Sequence, residues 1–87
     1  MKVAILFDGG GFRVHDRDCR DVRYEAVKFR DIPWIIDVKD RNEADHAMWA
    51  DIASGRKERG TPAHDKLVQE FADMGTTYLP CVKLMER

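Results

Sequence analysis

An aspartate and a lysine separated by one residue end an apolar run, and together they could support metal-dependent chemistry. Asp37 and Lys39 follow a Trp-Ile-Ile segment. Because side chains two positions apart in a strand project from the same face, we expect the two groups side by side. A carboxylate can hold a divalent cation, and a neighbouring ammonium can stabilise a phosphate transition state or orient a water molecule. The alternative interpretation is an ordinary ion pair where a strand ends in solvent.

Histidine and cysteine side chains form a second group of potential metal ligands or nucleophiles. His15, Asp16 and Cys19 form the densest cluster, within a segment of alternating charge. Such a segment is most simply a solvated loop with weak surface ion pairs. Cys19 and Cys81 make neither a CxxC pair nor a disulfide framework, so we interpret them as two reduced thiols of a cytosolic protein.

The remaining histidines, His46 and His64, do not have zinc-ligand spacing with the cysteines. We expect His46 on the exposed side of a helix. His64 is expected in the first turn of the next helix, where a neutral imidazole can help to cap the chain.

Length and charge limit the classes of function. The chain has 87 residues, of which 44% are hydrophobic and 36% charged, so one domain with a modest core is expected. The net charge of −1 gives no bulk field typical of a nucleic-acid or membrane binder. We expect no membrane span, no signal peptide and a cytoplasmic protein. Small domains leave apolar surface uncovered, which favours self-association.

The first half of the sequence predicts four strands. Residues 2–8 form a continuous apolar run typical of a strand buried on both faces, and glycines end it. Residues 12–15 alternate apolar and polar side chains after this glycine turn. Residues 23–30 are interpreted as a third strand whose imperfect alternation needs a bulge. Residues 34–39 predict the fourth.

The second half predicts two helices and a last strand. Residues 42–59 carry an apolar stripe at helical spacing, with Asn42 as the N-cap. Thr61 before a proline predicts the start of the second helix. Residues 76–85 predict a strand that Pro80 confines to a sheet edge. The residues expected to be buried on the helices are Ala44, Met48, Trp49, Ile52, Ala53, Leu67, Val68, Phe71, Ala72 and Met74.

The predicted order is therefore β-β-β-β-α-α-β. We expect a single α+β domain over residues 1–87, with a mostly antiparallel sheet and two consecutive helices packed on one face. The connection through both helices is long enough for the last strand to run parallel to the fourth.

The strand ending in Asp37 and Lys39, the helices after it and the final helix-glycine-strand unit resemble the PD-(D/E)xK nuclease superfamily, over about residues 34–82. The resemblance implies that Asp37 binds metal and that Lys39 is the catalytic lysine. The family places another acid on or near the preceding strand, a role that falls here to Asp21 or, less well, to Asp8. Under this hypothesis the cofactor is Mg²⁺ or Mn²⁺ and the substrate is DNA or RNA.

Other fragments resemble NYN/PIN-type nucleases more weakly. Asp8 follows a buried strand and precedes glycines, while Asp45 and Asp51 lie within one predicted helix. In that family, acids from strand ends and a helix gather Mg²⁺. Asp45 and Asp51 are six positions apart, a spacing that does not place them on one helical face.

Two hypotheses from different classes follow. The first is a small non-catalytic binding or assembly module, homodimeric and without a cofactor, whose partner the sequence does not identify. Size, balanced charge and the incomplete catalytic sets favour it. The second is a compact metal-dependent nuclease in which Asp37 and Lys39 are catalytic and Asp37 and Asp21 bind the metal.

Overall fold

The computed structural model of the chain describes residues 1–84, which fold into one mixed sheet flanked by helices. In chain order the elements are β1 (Lys2–Phe7), β2 (Phe12–Asp16), α1 (Asp21–Phe29), β3 (Trp34–Asp37), α2 (Arg41–Ser54), α3 (Pro62–Gly75) and β4 (Thr76–Tyr78). The strand order is β3-β1-β2-β4. β1 is antiparallel to both neighbours, and β4 is parallel to β2. The predicted α+β fold is confirmed, with one parallel pair in the sheet.

The central strand β1 is covered on both faces, as its apolar run predicts. Val3 and Ile5 belong to the main core, which α2 covers. Ala4 and Leu6 alternate with them and are also buried, on the face where α1 contacts β1. The chain is therefore layered helix, sheet, helix. The main core cluster consists of Val3, Ile5, Val14, Val38, Ala44, Met48, Val82 and Leu84.

The predicted third strand, residues 23–30, is wrong, because this segment belongs to helix α1. Val22 and Glu25 are buried at helical spacing, whereas Tyr24 and Val27 are 67% and 76% exposed. Burial three positions apart fits a helix, so no bulge is needed. Arg30 ends the helix in the left-handed conformation, with φ of 53°. The observed order is β-β-α-β-α-α-β.

The two later helices exist as predicted, with different bounds for the first. α2 ends at Ser54 rather than Arg59, and its N-cap is Asp40, whose Oδ1 accepts the Glu43 N–H at 2.8 Å. Thr61 is the N-cap of α3, as predicted, and its hydroxyl oxygen accepts the backbone N–H of His64. Most of the predicted helical stripe is buried or half-buried, but two of its members are exposed, Ile52 and Met74.

The last strand is shorter than predicted. β4 ends at Tyr78, before Pro80, and occupies an edge of the sheet as expected. Met85, the predicted end of this strand, lies outside the described residues. Gly11, just before β2, approaches Gly75 so closely that a Cβ on Gly11 would overlap the Gly75 carbonyl. None of the helices within residues 1–84 has the length and apolar character needed to cross a membrane.

Candidate metal centre

A buried carboxylate links α1 to β2 on the sheet face opposite the main core. Oε1 of Glu25 lies 2.7 Å from Nε of Arg13, and Oε2 lies 3.0 Å from Nη2. This bidentate pair fixes the carboxylate in position. The hydrogen bond from Arg13 is the main reason that the pKa of Glu25 falls to about 2, although burial opposes the shift.

His15, two residues along β2 from Arg13, meets the same carboxylate. The imidazole is buried, and its Nε2 lies 2.9 Å from Oε1 of Glu25. The ring nitrogen meets the oxygen too obliquely for a well-aligned hydrogen bond, so the contact is mainly electrostatic. Because an ionised carboxylate only accepts, the proton of a neutral His15 belongs on Nε2. Nδ1 then carries a lone pair, and it lies 3.7 Å from Sγ of Cys81.

Two thiols complete this cluster from separate segments. Cys19 lies in the connection between β2 and α1, and Cys81 lies in a turn after β4. One ligand atom each from His15, Cys19 and Cys81 lies within 4.8 Å of the other two. Burial raises the pKa of the Cys81 thiol and Cys19 adds to this effect, although the Asp16 N–H, 3.3 Å from the sulfur, lowers it.

The spacing of one pair of these atoms, Cys81 Sγ and His15 Nδ1, matches that in a metal centre. A tetrahedral zinc ion with Zn–S of about 2.3 Å and Zn–N of about 2.0 Å holds sulfur and nitrogen roughly 3.5 Å apart. The observed separation of Cys81 Sγ and His15 Nδ1 is 3.7 Å.

Two members of this cluster, Cys81 and His15, also resemble a thiol-imidazole-carboxylate catalytic set together with Glu25. Nucleophilic cysteines depend on a lowered pKa. Burial raises the pKa of Cys81, which opposes that chemistry. A bound cation instead deprotonates a coordinating thiol outright, so metal binding is the chemistry that this cluster favours.

The cluster opens into a pocket of about 350 Å³. Asp21, the first residue of α1, lines this pocket, as do Leu79 and Pro80 after β4. If these three side chains held a zinc ion, a fourth ligand position would remain for a group from outside the cluster. An open fourth position accepts water or a further oxygen ligand.

The residues that the nuclease resemblance groups together have different surroundings. Asp37 ends β3, and its Oδ1 lies 3.1 Å from the Met1 ammonium, with the carboxylate 70% exposed. Lys39 is exposed beyond the end of β3, whereas Asp21 lines the thiol pocket. Neither metal-ligand cluster found among residues 1–84 includes Asp37 or Asp21. The nuclease site stays a prediction.

The acids of the weaker resemblance have separate roles. Oδ1 of Asp8 accepts the N–H groups of Gly10 and Gly11, both at 2.9 Å, and so stabilises the turn between β1 and β2. Asp45 is buried and accepts the Tyr78 hydroxyl at 2.6 Å. Asp51 is exposed on the other side of α2, where it pairs with an arginine.

Comparison with protein-family models, with curated proteins and with solved structures finds no match.

The sequence indicates that His15 and Cys19 are potential ligands but predicts a solvated loop around them. His15 is the fourth residue of β2, within the segment predicted as the second strand, but it is buried rather than solvated. The alternation of the segment FRVHD was the signal, because a strand face that carries Arg13 also carries His15. Cys81 is 66 positions from His15, and no local spacing indicates that they meet.

Proposed function

We propose that this domain is a small binding module that holds one Zn²⁺ ion through His15 Nδ1 and the thiolates of Cys19 and Cys81. The sulfur-nitrogen separation of 3.7 Å is the observation that carries the proposal. The proposal departs from the sequence-based expectation of a module without a cofactor. It retains the expectation that the chain binds and assembles rather than catalyses.

The donor set favours zinc among common divalent ions. Two thiolates and one imidazole are soft or borderline ligands, which suit zinc and are poor ligands for Mg²⁺ or Ca²⁺. Zinc coordination also removes the protons from both thiols. This compensates for the burial that disfavours the charged form of Cys81.

Glu25 and Arg13 have the roles expected of residues just outside a metal centre. A ligating histidine commonly directs its second ring nitrogen at a carboxylate, which fixes its tautomer and raises its basicity. Glu25 meets Nε2 of His15, and Arg13 holds Glu25 through two hydrogen bonds. This arrangement leaves Nδ1 of His15 available to a cation.

A zinc ion here would join three parts of the chain that are distant in sequence. His15 belongs to β2, Cys19 to the connection after it, and Cys81 to the turn after the edge strand β4. β4 has only three residues. Domains of this size have small cores, so a structural metal contributes a large share of their stability.

The direct test is to measure zinc in the purified, reduced protein and to repeat the measurement on variants. We expect one tightly bound zinc per chain, with an apparent Kd of about 50 nM or lower. Cys81→Ser and Cys19→Ser should each lose tight binding, whereas Lys83→Ala, an exposed change two residues away, should retain it. The proposal fails if the parent protein binds no zinc under reducing conditions, or if both cysteine variants bind it equally well.

Self-association remains the second part of the proposed function, and the open edge of β3 supports it. β3 lies at one end of the sheet, so its outer backbone groups have no strand partner within residues 1–84. Trp34 and Ile35 are about half exposed there, and Ile32 just before β3 is largely exposed. Edges of this kind pair with other strands unless charge or proline blocks them. The occupant we propose is β3 of a second copy, because antiparallel pairing about a twofold axis satisfies both edges at once.

A further inference from the structure

A second cluster of potential ligands lies between α2 and α3, the two helices that pack against each other. It consists of His46 on α2 and of His64 and Asp65 in the first turn of α3. His64 is buried, and it is its backbone N–H, not its imidazole, that takes part in the helix cap. The His46 side chain is 29% exposed, less than a solvated position predicts.

The tautomer of His46 follows from its neighbours. Nδ1 lies 2.9 Å from the carbonyl oxygen of Asn42. A carbonyl only accepts, so Nδ1 must carry a proton. In the neutral ring, Nε2 then has a lone pair, which faces Oδ1 of Asp65 at 3.1 Å.

The tautomer of His64 is fixed in the same way, with the nitrogens exchanged. Nε2 lies 3.2 Å from the Ala50 carbonyl oxygen and 3.2 Å from Oγ of Ser54. Ser54 already donates its proton to that carbonyl at 2.7 Å, so both neighbours of Nε2 act as acceptors. Nε2 therefore carries the proton and Nδ1 the lone pair. Nδ1 lies 3.9 Å from Oδ1 of Asp65.

Three acceptors thus converge in one place. The lone pairs of neutral His46 and His64 both face the carboxylate of Asp65, which also only accepts. Such an arrangement is repulsive unless a proton or a metal ion lies within it. Burial lowers the pKa of His46, but the Asn42 carbonyl and the Asp65 carboxylate outweigh that effect and leave the pKa raised.

We propose that His46 Nε2, His64 Nδ1 and the Asp65 carboxylate bind a second divalent transition-metal ion. Metal-to-ligand distances of about 2.0–2.1 Å place tetrahedral nitrogen and oxygen ligands roughly 3.3 Å apart. Oδ1 of Asp65 lies 3.1 Å from Nε2 of His46 and 3.9 Å from Nδ1 of His64, on either side of that value.

Several features define the class of ion and its surroundings. Two imidazoles and one carboxylate suit Zn²⁺, Ni²⁺, Co²⁺ or Fe²⁺. The ring nitrogen of each histidine that does not face Asp65 donates to a backbone carbonyl, of Asn42 or Ala50, as expected for ligating histidines. Asp65 is 60% exposed, so water can fill the remaining positions. Without thiolates, this site is expected to bind more weakly than the cluster at His15.

Nitrogen-15 NMR of the histidine rings tests this arrangement, with Zn²⁺ as a diamagnetic probe. With both imidazoles neutral, the metal-free protein should show the Nδ1–H tautomer of His46 and the Nε2–H tautomer of His64. One equivalent of zinc should shift Nδ1 of His15, and further zinc should shift Nε2 of His46 and Nδ1 of His64. The proposal is overturned if further zinc leaves both rings unchanged or binds them through the opposite nitrogens.

Substitutions at the two more accessible ligands complete the test. The buried His64 is left unchanged because replacing it would also disturb the packing of α2 and α3. Asp65→Asn and His46→Gln each alter a proposed ligand and should weaken the second binding event by more than roughly 10-fold, because loss of an outer-shell partner alone costs that much. Asp51→Asn makes the same change of charge on the far side of α2 and should have no effect. Equal affinity in Asp65→Asn and Asp51→Asn would contradict the proposal. Cys81→Ser should lose only the stronger event, which separates the two sites.

Discussion

Sγ of Cys81 and Nδ1 of His15 lie 3.7 Å apart although 66 positions separate the residues. The parallel pairing of β4 with β2 brings them together, because Cys81 follows β4 and His15 belongs to β2. The candidate metal centre therefore depends on the edge strand of the sheet. A metal ion bound there would in turn stabilise that pairing.

The low pKa of Glu25 predicts a specific dependence of stability on pH. The pKa of Glu25 is about 2 in the folded state, against an ordinary value of 4.5. Between these two pH values the folded state therefore binds fewer protons than the unfolded state. The stabilisation is present above about pH 5 and is lost as the pH falls towards 2. Glu25→Gln should lower the free energy of unfolding of chelated protein by at most about 3 kcal/mol at pH 6.

Urea unfolding of the parent protein and of Glu25→Gln, from pH 6 to pH 2.5, measures this dependence. The difference between the two proteins should shrink steadily as the pH falls. A difference that stays constant over this range would show that the carboxylate is not selectively stabilised in the folded state.

The left-handed residue at the end of α1 gives a test of the fold itself. Arg30 has φ of 53°, where a side chain costs roughly 1 kcal/mol relative to glycine. Arg30→Gly should therefore leave stability unchanged or raise it by up to about 1 kcal/mol. Thermal unfolding compares it with Arg23→Gly, which places glycine at an exposed position inside α1 and should destabilise by about 1 kcal/mol. A clear loss of stability in Arg30→Gly would contradict the helix end described above.

The sequence predicts the buried strand β1, the start of α3 and the edge position of β4, because each follows from local signals. These signals are an apolar run, an N-cap threonine before a proline, and a proline within a strand. Each of them acts over only a few residues. The sequence-based prediction is wrong at α1, where Tyr24 and Val27 suggest a buried strand. The helical spacing of Val22, Glu25 and Ala26 is the competing signal, and a buried glutamate masks it.

For a related reason, the sequence indicates only part of the candidate metal centre. The strand alternation of β2 places Arg13 and His15 on one face, but the alternating charges around them suggest solvent. Burial of this face depends on α1, which supplies Glu25. The third ligand, Cys81, is brought to the site by the pairing of β4 with β2, two strands distant in sequence. No pattern in a single sequence indicates such a pairing.

The proposed dimer predicts a mass change on one substitution. Ile35→Lys places a charge on the open edge of β3 and should convert dimer to monomer, because charged edges resist strand pairing. Ile52→Lys is the matched control, since Ile52 on α2 is similarly exposed. Light scattering after size exclusion at micromolar concentration gives the mass. A parent protein that is monomeric at these concentrations, or a dimeric Ile35→Lys variant, would contradict this interface.

The nuclease hypothesis makes a separate prediction at Asp37. The carboxylate pairs with the Met1 ammonium in an exposed position, so Asp37→Asn should change stability by no more than about 1 kcal/mol. If Asp37 binds catalytic metal, the parent protein should cleave DNA or RNA with Mg²⁺ or Mn²⁺, and Asp37→Asn and Lys39→Ala should not. Nucleic acid left intact by the parent protein with either metal would exclude this activity.

Cobalt substitution tests the thiol-imidazole centre most directly. With one equivalent of Co²⁺, the reduced parent protein should show visible bands of tetrahedral cobalt and a near-ultraviolet band from thiolate-to-cobalt charge transfer. The charge-transfer band should weaken in Cys19→Ser and Cys81→Ser and remain in Lys83→Ala. A parent spectrum without the thiolate band, or one that both cysteine variants reproduce, would contradict metal binding by His15, Cys19 and Cys81.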